Sequence, residues 1–210
     1  MSEETTIRLL SRDDLPEIVR VHLAAFPDAA ITRLGREAAR RFYESLMSNV
    51  HDAFGLGAWR DKILLGFCFG GVWRQAKLVY VRQNMLFLAS LLLVRPWLLR
   101  ESFFRKRIRF ALGLLFRRKA RSARVHHARA DEAEHFGIQS TAVDPRFQGT
   151  GIGGMLLDTC EEYARQRGFD EIILSVHRTN HRAIEFYECM GWEKVIKDGA
   201  WTQVMVKRLA

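Results

Sequence analysis

At 210 residues, with 48% hydrophobic and 27% charged side chains, the chain is long enough for one domain with a real core, and this composition excludes a disordered, collagenous or disulfide-stapled protein. Cys68, Cys160 and Cys189 form no C-x-x-C pair, which points to the reducing cytoplasm and away from a thiolate metal site. The formal charge of +9 is local, because residues 74–129 carry 15 lysines and arginines against the single acid Glu101, leaving the remainder net acidic.

The polar, acidic opening Met1-Ser2-Glu3-Glu4 predicts no secretory signal. Ile7–Leu10 reads as a first strand. Ser11 or Asp13 is placed to cap a helix carrying Leu15, Ile18, Val19, His22 and Leu23 at helical spacing. Phe26-Pro27-Asp28 breaks it, and a second helix is expected around 34–47 with Ala38, Ala39, Phe42, Tyr43 and Leu46 on one face. A hairpin follows, with strands at 53–59 and 63–71 around a turn at Arg60-Asp61-Lys62.

Residues 72–130 form an apolar-basic helical insertion within a domain that spans 1–210. Met85–Val94 is ten apolar residues between Arg82 and Arg95, about half of the 20 or so needed to cross a bilayer. A second helix is expected from Ser102 to Phe116. Three readings stay open: a helical hairpin packed on the domain or on a twin subunit, a peripheral element at the inner membrane face, or an electrostatic clamp for an anionic substrate. Nucleic acid is the weakest partner, since the aromatics sit inside apolar runs and not as isolated stacking platforms. His126, His127 and His135 lack regular ligand spacing, so no metal is expected.

From Phe136 the pattern alternates: a strand to Val143, a helix over 152–167 closed by Gly168, a strand over 171–176, a helix over 183–190 closed by Gly191, and strands around 192–196 and 201–206. Between the first strand and helix, four glycines (149, 151, 153 and 154) fall within six residues. Glycines at a helix start leave backbone N–H groups unshielded at the positive end of the dipole, which suits phosphate oxygens. The run matches G-x-G-x-x-G formally. A dinucleotide fingerprint, however, wants the first glycine directly after the strand and an acid ending the next strand. Here Pro145, Arg146 and Gln148 intervene, and that next strand ends in His177-Arg178.

Gln148-x-x-Gly151-x-Gly153 resembles the pyrophosphate loop of the GCN5-related N-acetyltransferases. Downstream, Asn180-His181-Arg182-Ala183-Ile184-Glu185-Phe186-Tyr187-Glu188-Cys189-Met190-Gly191-Trp192 is similar to that family's N-x-x-A-x-x-F-Y-x-x-x-G-F/W segment. The resemblance implies an α/β fold, a single domain with a central mixed, mostly antiparallel sheet flanked by helices, the insertion falling between the third and fourth strands. It also implies acetyl-CoA as co-substrate and direct attack by a primary amine. Gly149, Thr150, Gly151, Ile152, Gly153 and Gly154 would take the pyrophosphate, and Gln148 would orient the loop. Ala142 and Val143 would pair with the pantetheine arm, and Asn180 would hold cofactor or cap a helix. Tyr187 would be the general acid, with Glu134 and His135 the candidates for general base. An amino sugar of a surface-glycan precursor is the acceptor that the arginines suit; a protein amine, a polyamine or an antibiotic stays open. The alternative is a non-catalytic membrane- or partner-docking module that keeps the CoA-binding scaffold.

Overall fold

The computed structural model describes residues 4–95 and 135–209. Seven strands build one open sheet: β1 (Thr6–Leu9), β2 (Asp52–Arg60), β3 (Ile63–Val72), β4 (Phe136–Val143), β5 (Glu171–Ser175), β6 (Glu193–Lys197) and β7 (Ala200–Arg208). The order across the sheet is β1-β2-β3-β4-β5-β7-β6. Every neighbouring pair is antiparallel except β4 with β5. The expected mixed, mostly antiparallel sheet is therefore present.

Three helices separate β1 from β2: α1 (Leu15–Ala25), α2 (Ala30–Leu34) and α3 (Arg36–Leu46). Ser11 and Asp14 cap the entry to α1, the Ser11 N–H donating to Asp14 Oδ2 at 2.8 Å while Arg8 pairs with the same carboxylate. Phe26 ends α1, as the following Pro27 requires. The helix expected around 34–47 is α3, which begins only after Gly35 because φ 102° lies outside the helical region, while α2 before it was not anticipated. Between β3 and β4 lie α4 (Ala76–Gln83) and α5 (Met85–Val94), the latter with the bounds its apolar run predicts. The helix expected over 102–116 lies outside the described residues. Helices α6 (Ile152–Gln166) and α7 (His181–Cys189) complete the set among the described residues. Positive φ angles at Gly168 and Gly191 close them as expected.

The chain divides into two compact units, residues 1–80 with 135–210, and residues 81–134. The first holds the whole sheet and has a core on each face. On one face α6 and α7 contribute Leu156, Leu157, Cys160 and Ile184 against Leu65, Cys68, Phe136 and Ile138 of the sheet. On the other, α1 and α3 contribute Ile18, Val21, Tyr43 and Leu46 against Leu64, Phe67, Phe69 and Ala142. In the second unit the described residues are the end of α4 and α5.

One irregularity in this sheet positions the site. Phe69 pairs with Ser140 and Gly70 with Ile138, so Gln139 is an extra residue in β4. A bulge shifts strand parity by one. Phe136 and Ile138 face α6 and α7, but beyond the bulge that face receives Thr141, whose hydroxyl lies 3.4 Å from Cys68 Sγ. Ser140 and Ala142 turn instead toward α1 and α3.

Candidate active site

Strands β4 and β5 stay paired only from Phe136–Ile172 to Ile138–Leu174. Beyond the bulge β4 runs on to Val143 without β5 beside it. A cavity of about 220 Å³ fills the parting. Its lining comes from both faces of the sheet: Phe26 and Ser140 from the side of α1 and α3, and Thr141, His177, Asn180 and Tyr187 from the side of α7. A gap reaching through a sheet lets two ligands meet from opposite sides.

The glycine loop begins where β4 ends. Asp144 is nearly inaccessible and gathers the strand end: its N–H donates to Leu65 O, and its carboxylate accepts from the Arg146 N–H, the Arg146 guanidinium and Arg20 of α1. These donors hold the carboxyl well below the usual aspartate range. Arg20 also donates to Leu64 O at 2.6 Å, so α1, β3 and the loop entry are tied through one guanidinium. Gln148 donates from Nε2 to Val143 O at 3.0 Å, as a loop-orienting residue would. Thr150 donates to Phe147 O.

Gly149 (φ 82°) and Gly151 (φ 86°) are left-handed, and a Cβ built on either would meet open space. Backbone geometry and not crowding therefore demands glycine at these two positions. Gly153 is different: a Cβ there would lie 3.1 Å from the Phe186 ring, so the start of α6 is seated on α7. Ile152 is buried beneath it. The loop can offer an anion several unshielded N–H groups at a helix start.

Asn180 caps α7, its side-chain oxygen accepting from the Ala183 N–H at 3.3 Å. Tyr187, two turns beyond that cap, lines the cavity in contact with the Phe186 and Trp192 rings. Burial pushes its hydroxyl up to about 12, with a hydrogen bond to Thr141 acting the other way. At working pH the phenol holds its proton.

Of the sequence-derived positions, Asn180 and Tyr187 line the cavity, while Ala142, Val143 and the 148–154 loop lie outside its lining, the loop being joined to β4 through Gln148 and to α7 through Gly153. His135 stands apart, exposed at the start of β4 and 3.6 Å from Glu171, outside the cavity lining. Glu134, His126 and His127 lie outside the described residues. Sequence reasoning passed over Ser140 and Thr141, although a Gln-Ser-Thr run inside an apolar strand is a detectable signal. It also read His22 and Tyr43 only as helix-face residues. No three His, Cys, Asp or Glu side chains cluster to hold a metal among the described residues.

A mixed sheet that parts between its two parallel strands, with a glycine-rich helix start following one of them, defines an α/β protein with a cleft beside β4. Comparison with known proteins narrows that class. Residues 110–192 match the Acetyltransferase (GNAT) family. An uncharacterized N-acetyltransferase of Methanocaldococcus jannaschii is 42% identical over 72 residues, which is 34% of this chain and 31% of that protein. The ribosomal protein bS18-alanine N-acetyltransferase of Salmonella typhimurium is 41% identical over 64 residues, 30% of this chain and 41% of that one. The matches thus span well under half of those relatives. Among solved structures, PaiA N-acetyltransferase of Thermoplasma acidophilum, in complex with coenzyme A, superposes with a TM-score of 0.57 at 17% identity, covering 98% of this chain and 99% of that one. Residues 110–192 are thus similar to the GNAT acetyltransferase family, and the fold is the one those solved acetyltransferases share.

Proposed function

We propose that the chain is an acetyl-CoA-dependent N-acetyltransferase that acts on a primary amine. The observation that carries this reading is the continuity of the site: an anion cradle at Gly149–Gly154, an unpaired strand edge on β4, and a phenol that keeps its proton at the cavity.

When bound, acetyl-CoA supplies an activated acyl group whose carbon–sulfur bond is broken by the amine. The loop N–H groups, held by Gln148, bind the pyrophosphate. The edge of β4 near Ala142 and Val143 pairs with the pantetheine arm and offers an N–H to the thioester oxygen. The attacking nitrogen gains the acetyl group and loses a proton; the sulfur gains one. Tyr187 stands as donor to that sulfur. A phenol at about 12 faces a thiolate whose ordinary value is near 8.5, so complete transfer is uphill by more than a factor of about 1,000 in equilibrium constant. Tyr187 therefore acts first as a hydrogen-bond donor to the developing charge, with solvent completing the protonation. Glu134 is retained as a candidate base on the sequence reading alone; His135, lying off the cavity, is the poorer one.

The acceptor is a small-molecule or protein amine. The alanine N-acetyltransferase relative favours a protein N-terminus. The arginines of residues 74–129 favour a phosphate-bearing amino sugar. The same segment is proposed as a peripheral membrane element, expected to co-float with anionic but not neutral liposomes. No helix among the described residues is long and apolar enough to cross a membrane.

The first test is calorimetric titration of the purified chain with acetyl-CoA, CoA and NADH. Binding of both CoA ligands and not NADH is expected; absence of acetyl-CoA binding would overturn the proposal.

A further inference from the structure

Behind the cavity, on the α1/α3 side, lies a buried polar chain that the cofactor site does not use. His22 of α1 and Tyr43 of α3 are joined by a 2.7 Å contact between Nδ1 and the phenolic oxygen. Tyr43 is joined in turn to Ser140 Oγ at 3.1 Å. His22 is 5% exposed and Tyr43 fully inaccessible, whereas Ser140 opens on the cavity. His22 Nε2 is buried with no hydrogen-bond partner among the described residues. Three polar groups in a row inside an aromatic cluster of Phe26, Phe42, Phe67 and Phe69 are costly to bury, and only the last of them reaches a ligand.

The chain is not a proton sink. Burial pushes His22 down to about 4 and raises Tyr43 above the ordinary phenol range. An imidazole at about 4 cannot hold a proton taken from an alkylammonium, ordinarily near 10. Both groups are neutral at working pH, so what the chain can fix is direction.

Direction follows from bond length and basicity. O–H donors make bonds of about 2.7–2.8 Å, and N–H donors bonds nearer 2.9–3.0 Å. The 2.7 Å contact therefore fits Tyr43 O–H donating to His22 Nδ1, the most acidic hydroxyl meeting the most basic nitrogen. Tyr43 has then spent its only proton, and its oxygen accepts from Ser140 O–H at the longer 3.1 Å. Ser140 is left with its lone pairs toward the cavity. The β4 bulge makes this arrangement, since without Gln139 as the extra residue Ser140 would face α6.

We propose that Ser140 Oγ is the contact for the acceptor amine, turned to accept one of its N–H groups by Tyr43 and His22, which act as positioning residues. This rests on the acetyl-transfer reading above and adds to it the side chains that meet and orient the amine. An N–H held by Ser140 leaves the nitrogen lone pair free to point at the thioester on β4.

Ser140→Ala, Ser140→Thr and Tyr43→Phe in the full chain test this. The readouts are acetyl-CoA Kd by calorimetry and CoA thiol release with spermidine, glucosamine and an alanyl tripeptide as probe amines. Expected is an unchanged acetyl-CoA Kd, an amine kcat/KM lowered about tenfold in Ser140→Ala and severalfold in Tyr43→Phe, and recovery in Ser140→Thr, which keeps the hydroxyl. A packing role alone would not be rescued by threonine. Nitrogen NMR of the His22 ring, assigned with His22→Gln, decides the direction without any acceptor: Nε2–H is expected, and Nδ1–H would overturn the proposal even if no probe amine is consumed. Unaltered amine kinetics in Ser140→Ala with normal acetyl-CoA binding would overturn this inference alone. Failure of the unchanged protein to bind acetyl-CoA would overturn the reading beneath it as well.

Discussion

Tyr187 and His22 are both buried titratable groups near the cavity, and burial moves each toward its neutral form, with opposite consequences. For Tyr187 the neutral form is the useful one. Tyr187→Phe removes the hydroxyl and leaves the ring on Phe186 and Trp192. It should lower kcat at least tenfold while acetyl-CoA Kd in calorimetry stays within about twofold. For His22 the neutral form is a stability term. Its folded value near 4 lies below the ordinary 6.5, so below pH 6.5 the unfolded chain takes up a proton that the folded chain refuses. The stability due to His22 is complete above pH 6.5 and drains away as pH falls through 4, by about 3 kcal/mol for a shift of that size. His51, lowered by burial and by Arg74, adds a loss of the same sign in the same direction of pH. Asp144, held low by Arg146 and Arg20, begins to cost stability only below its ordinary 3.8. Urea unfolding at pH 7, 5.5 and 4.5 should show the loss, and His22→Gln should flatten its own share. A slope unaltered in that variant would mean that the imidazole is solvated in solution.

At the scale of elements, the path from β4 through the loop to α7 was legible because its signals are local. Alternating apolar residues, a glycine cluster and an N-cap all lie within a few positions of what they specify. Gly151 and Gly154 show how far such reading goes. They look alike in sequence, yet Gly151 is left-handed with open space around it, while Gly154 sits inside α6 with its missing Cβ at ordinary contact distance from Met190. Gly151→Ala should cost about 1–2 kcal/mol in chemical denaturation, since an L side chain at positive φ is strained. Gly154→Ala should gain about 0.5–1 kcal/mol from helix propensity. Equal effects would mean that the loop relaxes out of its left-handed turn. What the sequence hid was non-local or weakly patterned. Nothing in Ala76–Gln83 marks one apolar face, so α4 went unanticipated; Gly35 read as a residue within a helix is a break between two. Ser140 meets Tyr43 across 97 positions, through a bulge whose parity shift exists only once β3 and β4 are paired. No periodicity within one strand announces it.

For the whole molecule, the informative fact is that β3 and β4, which flank the second unit in sequence, are paired neighbours in the sheet. Val72 at the end of β3 is the register partner of Phe136 at the start of β4, so nearly all of the intervening chain leaves and re-enters the sheet at adjacent points. The part of that chain which belongs to the sheet unit is short: Trp73 donates to Gly137 O, Ala76 is buried, and Tyr80 donates to Ala38 O of α3. Every residue assigned above to the cofactor, and the whole His22–Tyr43–Ser140 chain, lies in the unit of residues 1–80 and 135–210. Antiparallel neighbours can be closed by short loops, and lengthening such a loop costs little free energy, so removing one costs little too. Replacing 81–133 with a glycine-serine linker of about ten residues, which keeps the candidate base Glu134, should therefore leave a folded protein that binds acetyl-CoA with unaltered Kd. Its net charge would fall sharply, because 13 of the 33 lysines and arginines leave with the segment. If liposome flotation is lost while transfer to a small amine survives, the segment serves location; if amine KM rises instead, it serves the acceptor. An unfolded product would show that 81–133 completes the core of the sheet unit and is not a separable addition to it.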